Sequence, residues 1–185
     1  MAVALTFVSA TESAQKKAPP MPQKAVVCAA CHGSAGVSTV PNTPSLARQQ
    51  AEFLVLQLFL MREGLRAVPE MKGMLNGWSD ADLESVGAYY ASQAAPASGS
   101  KRDPKLHARG AQIARAMGCG ICHLDDYTGQ RQVPRLANQR EDYLASAMKA
   151  YRDNRRTGAD TNMNGIMQGM SDADVHALAH YFANQ

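Results

Sequence analysis

The chain has 185 residues, 19 Lys and Arg against 16 Asp and Glu, and a formal net charge of +3. That length suits one ordinary domain or two small ones, and a small unit buries a limited fraction of its surface and often leans on a metal, a disulfide or a bound group. The weak positive excess excludes a nucleic-acid surface, and the longest apolar run, FLVLQLFLM from Phe53 to Met61, is broken by Gln57 and falls short of the ~20 residues that cross a membrane.

Residues 1–22 open with an apolar stretch from Ala2 to Ala10, and Val8-Ser9-Ala10 resembles a small-residue cleavage site. The segment reads as an export-signal remnant or a disordered tail, and Pro19, Pro20 and Pro22 forbid a long helix there. VVCAACHGSAG follows at 26–36, then a helical stretch over about 48–64. Ser79 before Asp80-Ala81-Asp82 predicts a capped helix start, and Leu83, Val86, Tyr89 and Tyr90 form one stripe of the helix behind it. The Ala/Pro/Ser/Gly-rich segment at 93–103 is a linker. A helix is expected from about 104 to 117, MGCGICHLDDY at 117–127 repeats the cysteine pattern, and a second helix is expected near 139–154. Ser171 caps a last one with Val175, Leu178, Ala179, Tyr181 and Phe182 on its stripe. No alternating run suggests a sheet.

These elements are one set used twice. MKGMLNGWSDADLESVGAYYASQ (71–93) lies over MNGIMQGMSDADVHALAHYFANQ (163–185) without a gap, and PSLARQQAEF over PRLANQREDY. The repeat divides the chain into units at 23–92 and 104–185. Its charge is uneven: through Ser92 there are seven basic and seven acidic residues, after it twelve against nine. The densest part, YRDNRRTG at 151–158, is a solvated surface or a docking site for an acidic partner.

Three chemistries compete for Cys28-x-x-Cys31-His32 and Cys119-x-x-Cys122-His123. A thioredoxin-like dithiol needs a βαβ setting, and a zinc ribbon needs its pairs some 15–20 residues apart; neither uses the histidine. Covalent haem attachment uses all three residues, because cysteines at i and i+3 share a helical face, where they add to two vinyl groups while the next imidazole reaches iron. Such haems are attached outside the cytoplasmic membrane, which agrees with an exported chain. Among ten methionines, Met71 and Met163 alone stand eight residues before the capping serines in both copies, which makes them the candidate sixth ligands. Met74 and Met167 are reserves, and core filling is the competing role. Thioether ligation favours ferrous iron, and a filled sixth position suits single-electron transfer. Pro44 and Pro134 follow the motifs at a spacing that returns a backbone carbonyl to the histidine Nδ1; an ordinary loop proline is the alternative.

With these motifs the chain resembles dihaem cytochromes c of the c-four type over residues 23–185. The resemblance implies an all-α fold of two tandem class I cytochrome c domains and two haem c groups on Cys28, Cys31, Cys119 and Cys122. It implies His32 and His123 as proximal ligands, Met71 and Met163 as distal ones, and Pro44 and Pro134 as the histidine-orienting carbonyls. It further implies a periplasmic, non-enzymatic electron carrier, often membrane-associated. Donors would be a quinol-oxidising complex or a dehydrogenase, and acceptors a terminal oxidase or reductase. A tightly bound dehydrogenase subunit is the alternative role, and a dihaem redox enzyme a third. Two departures stand out. The class I leading helix, with Gly110 at its crossing in the second copy, has Met21 and Pro22 in its place in the first. Val55, Leu56, Phe59 and Leu60 also replace Ala145, Ser146, Lys149 and Ala150, suggesting either an apolar docking face for a partner or burial against the second domain.

Overall fold

The computed structural model describes residues 19–156 and 162–185; the expected signal remnant falls almost wholly outside them. The described residues form helices and turns, with one isolated bridge between Gln130 and Val133. In the first half a 3-10 turn at Gln23–Ala25 runs into α1 (Val26–His32), followed by α2 (Ala51–Arg62), a 3-10 turn at Pro69–Met71 and α3 (Asp80–Ala91). In the second half α4 (Pro104–Ala116) precedes α5 (Cys119–His123), α6 (Glu141–Arg152), α7 (Asn162–Met167) and α8 (Asp172–Ala183).

The serines cap as their sequence context requires. Ser79 accepts from Asp82 N, and Asp82 Oδ2 accepts the Ser79 N–H at 2.8 Å, closing a reciprocal box. Ser171 accepts from Asp174 N at 3.1 Å. Asp103 caps α4 through the N–H groups of Lys105 and Leu106, with Pro104 at the position where a missing N–H costs nothing.

Each half has its own core. Leu54, Leu75, Trp78, Leu83, Val86 and Tyr90 gather in the first; Leu144, Met148, Met167, Val175, Leu178 and Phe182 gather in the second. The second core is closed by α4 crossing α8 at Gly110, where a Cβ would come within 2.2 Å of the Ala177 carbonyl oxygen. Among the described residues the first half shows no such leading helix. Its 3-10 turn stands there instead: Ala25 is fully buried, its carbonyl accepts from the Tyr90 hydroxyl at 3.4 Å, and Lys24 pairs with Asp82 at 2.7 Å. Met21 also packs on this core.

The apolar side chains of α2 do not make one outward face. Val55 Cγ2 lies where a Cβ on Gly87 of α3 would touch it, and Leu60 is only 6% exposed. Leu60 stands one turn from Gln57, whose Oε1 accepts from Arg156 of the second half at 3.3 Å, so this side of α2 turns inward. Leu56 is half-buried and Phe59 is exposed, with Arg62 over its ring. Of the four residues expected on one docking face, Val55 and Leu60 thus turn inward, while Leu56 and Phe59 stay partly open. The basic stretch near residue 152 is likewise engaged, since Arg152 pairs with Asp153 at 2.8 Å and Asp172 at 2.6 Å.

Candidate functional site

Both Cys-x-x-Cys-His sequences are helical, which sets the two sulfurs of each on one side and delivers the histidine at the helix end. α1 stops at Gly33, with φ 79° and ψ 150°; a Cβ there would sit 2.4 Å from the Val37 carbonyl oxygen. The backbone then returns, and His32 Nδ1 lies 2.8 Å from the Pro44 carbonyl oxygen. His123 Nδ1 lies 2.8 Å from Pro134 O in the same way. A carbonyl only accepts, so Nδ1 carries the proton and Nε2 keeps its lone pair for a metal. His32 and His123 are 8% and 6% exposed. Burial pushes the His32 pKa down, against the opposing pull of the Pro44 carbonyl, which favours the neutral imidazole a metal needs.

The thiols are not those of a redox dithiol. All four cysteines are unpaired, and burial pushes Cys28 and Cys119 up from the ordinary thiol value, whereas reactive dithiols are pulled down. Among the described residues no group of three His, Cys, Asp or Glu is placed to hold a metal ion.

A cleft in the first half is lined by Cys28, Cys31, His32 and Met71, with Met74 and Trp78 beside them. The structure thus brings together four residues expected on sequence grounds, from α1 and from the Pro69–Met71 turn. In the second half Cys119 and Met163 both pack against the core cluster, and the reserve residue Met167 is itself buried in that core at 2% exposure. Met74 is 37% exposed at the rim of the first cleft. Of the other histidines, His180 is buried and held by Glu141 at 3.0 Å and by the Asp103 N–H at 2.8 Å. His107 stacks edge-on against Tyr181. A thiol pair, a neutral imidazole with a free Nε2 and a thioether in one cleft fit a covalently held haem.

Sequence reasoning missed Gln49 and Gln139, which join the halves. Gln139 Oε1 accepts the Ser45 N–H at 2.8 Å, and its Nε2 donates to Ser45 O at 2.8 Å. Gln49 does the same to Arg135, at 2.7 and 3.1 Å. Gln50 Nε2 donates to Thr128 O and Gly129 O at 2.9 and 3.0 Å, and Arg140 donates to Ser38 O at 3.2 Å. The signal was present, because both glutamines fall in register when PSLARQQ is set over PRLANQR.

Two helical units, each with a Cys-x-x-Cys-His helix, a carbonyl-bound histidine and a methionine, on the Pro69–Met71 turn in one and on α7 in the other, define a two-haem c-type cytochrome. The cytochrome c family model matches residues 107–185. Cytochrome c4 of Pseudomonas aeruginosa is 38% identical over 169 residues, 85% of this chain and 83% of that protein. A thiosulfate dehydrogenase electron acceptor of Stutzerimonas stutzeri is 32% identical over 171 residues, 86% of this chain and 79% of that one. The crystal structure of reduced recombinant cytochrome c4 from Pseudomonas stutzeri superposes with a TM-score of 0.81 at 34% identity, covering 87% of this chain and 94% of that one. The chain belongs to the cytochrome c4 family. It carries covalently bound haem c and transfers electrons to and from redox partners rather than catalysing a reaction of its own.

Proposed function

We propose that the chain is a periplasmic electron carrier of two haem domains, 23–92 and 104–185, each iron held between a histidine and a methionine. Cys28 and Cys31, and Cys119 and Cys122, form the thioethers. His32 and His123 ligate through Nε2, and Pro44 and Pro134 hold each ring in place by accepting from Nδ1. Met71 and Met163 would supply the second protein ligand to each iron. When bound, each haem supplies a one-electron ferric/ferrous couple. The chain's own part is to hold the imidazoles and thioethers in place, so that little would reorganise as charge changes, and to keep water from the imidazoles by burying them.

The observation that carries this reading is the convergence of Cys28, Cys31, His32 and Met71 on one cleft with His32 Nδ1 tied to a carbonyl. Thioether haem formation outside the cytoplasmic membrane supports the periplasm. No helix among the described residues is long and apolar enough to cross a membrane. Ile121 at 83% exposure and Met117 at 42% flank the second cysteine turn, and we place partner contact there. The donor is a quinol-oxidising complex or a dehydrogenase, and the acceptor an oxidase or reductase. Service to one dehydrogenase is the second reading, favoured by the thiosulfate dehydrogenase acceptor among its relatives.

The test is intact mass and optical spectroscopy of exported protein. Two added haems and a sulfur-to-iron charge-transfer band, with no cyanide or carbon monoxide binding at native pH, are expected. One haem, or ready binding of either ligand, would overturn the assignment.

A further inference from the structure

Each interdomain glutamine acts on the peptide group that orients the opposite domain's histidine. Ser45 follows Pro44, so one peptide unit gives its carbonyl to His32 Nδ1 at 2.8 Å and its N–H to Gln139 Oε1 at 2.8 Å. Arg135 follows Pro134, and that unit gives its carbonyl to His123 Nδ1 at 2.8 Å and its N–H to Gln49 Oε1 at 2.7 Å. Both glutamines are buried, at 6% and 7% exposure, so water does not substitute for them.

The peptide group is a conjugated unit. An acceptor on its N–H moves electron density toward the carbonyl oxygen, and hydrogen bonds in a chain strengthen one another. A stronger acceptor at Nδ1 makes the imidazole a more basic ligand, and a more basic ligand favours ferric iron. We propose that Gln139 and Gln49 are positioning residues that tune the proximal histidine of the opposite domain, Gln139 acting on His32 and Gln49 on His123, so that domain docking is written into both redox potentials.

Interface strength alone does not require this placement. Gln50 and Arg140 also bridge the halves, but the carbonyls they reach, of Thr128, Gly129 and Ser38, are not the partners of a histidine Nδ1, and the Thr128–Gly129 unit meets His123 at the histidine's backbone carbonyl. They provide the control.

The inference rests on the reading that His32 and His123 ligate iron. The experiment is a redox titration of the two-haem protein, each potential assigned to its domain by NMR, with amide hydrogen exchange read at Ser45 and Arg135. Gln139→Leu is expected to raise the first domain's potential more than the second's, by a threefold to tenfold change in oxidised-to-reduced ratio, tenfold being about 59 mV for one electron. Gln49→Leu should do the converse, and each should speed exchange at the opposite amide. Gln139→Glu keeps an acceptor for the Ser45 N–H and should produce no rise, which preserves the test should the leucine variant fold poorly. Gln50→Leu should shift neither potential selectively.

Shifts in the mutated domain's own haem, equal shifts in both, or the same pattern from Gln50→Leu would overturn the relay. If replacing His32 by Met left the first haem's spectrum unchanged, the ligand assignment itself would fall. Unmoved potentials in the glutamine variants, with His32→Met altering that spectrum, would sink the relay alone.

Discussion

His123 is followed by Leu124 at φ 67° and ψ 160°, where the first copy has Gly33 at φ 79° and ψ 150°. Non-glycine residues in that region are strained by ~1–3 kcal/mol. Leu124→Gly is expected to stabilise the second domain by about 1 kcal/mol, after the larger entropy of glycine in the unfolded chain is set against the relief. A higher denaturant midpoint at unchanged slope is the measurement, and an unchanged midpoint would mean that the leucine side chain offsets the strain. The paired methionines give a second test at this scale. Met71→Ala should lose part of the sulfur-to-iron band and let cyanide bind one haem, while Met74→Ala at the cleft rim should do neither. Loss of the band in Met74→Ala would reassign the ligand. The register of two copies singled out Met71, and the structure places it in the cleft with Cys28, Cys31 and His32. The strain at Leu124 could not be read in this way, because φ leaves no mark in a leucine codon until the fold assigns it a turn.

At the level of elements, α3 and α8 were legible from their capping serines, and α2, α4 and α6 from their residue pattern, since capping chemistry and apolar spacing are local. The short α7 and the 3-10 turns carry too few residues to show a period and exist only through packing. The crossing of α4 and α8 is fixed by Gly110. Gly110→Ala should destabilise the second domain by ~1–3 kcal/mol or more through overpacking against Ala177 and Tyr181, leaving the first domain's unfolding unchanged; equal loss in both domains would mean they unfold as one unit. In the first domain the described residues cover the end of α3 in part by charge. Lys24, and then Ser79, hold the Asp82 carboxyl down at about 2 against an ordinary 3.8. Its folded pKa lies below the unfolded one, so the contribution is present above 3.8 and disappears as pH falls toward 2. Asp82→Asn should lower stability at neutral pH and flatten the pH dependence in that window. Stability curves of the two proteins that stay parallel from pH 5 to 2 would refute the pairing.

At the scale of the whole molecule, the two units meet through equivalent residues used in exchange, as in a twofold dimer made from one chain. The repeat made the two units legible, but the mode of docking was hidden, because a buried glutamine and a surface glutamine look alike in sequence. Leu60 shows the same limit: apolar excess on α2 left open whether a partner or the chain itself covers it, and the structure buries it. The segment between Ala91 and Pro104 is secondary to this contact. It leans on the second domain's end, where Asn184 bonds Ser98 and Ser100 at 2.8 Å. Doubling a flexible connection costs only ~0.6 kcal/mol in closure entropy. The four bonds of Gln49 and Gln139 alone contribute ~0.5–1.5 kcal/mol each, so the interface outweighs the tether. A Gly/Ser insertion after Ala95 that doubles the connection should therefore leave the radius of gyration from X-ray scattering unchanged apart from the added residues, and leave both haem potentials in place. The same insertion combined with Gln49→Leu and Gln139→Leu should open the molecule and broaden its distance distribution. Opening by the insertion alone would show that the tether, and not the exchanged glutamines, keeps the two halves together.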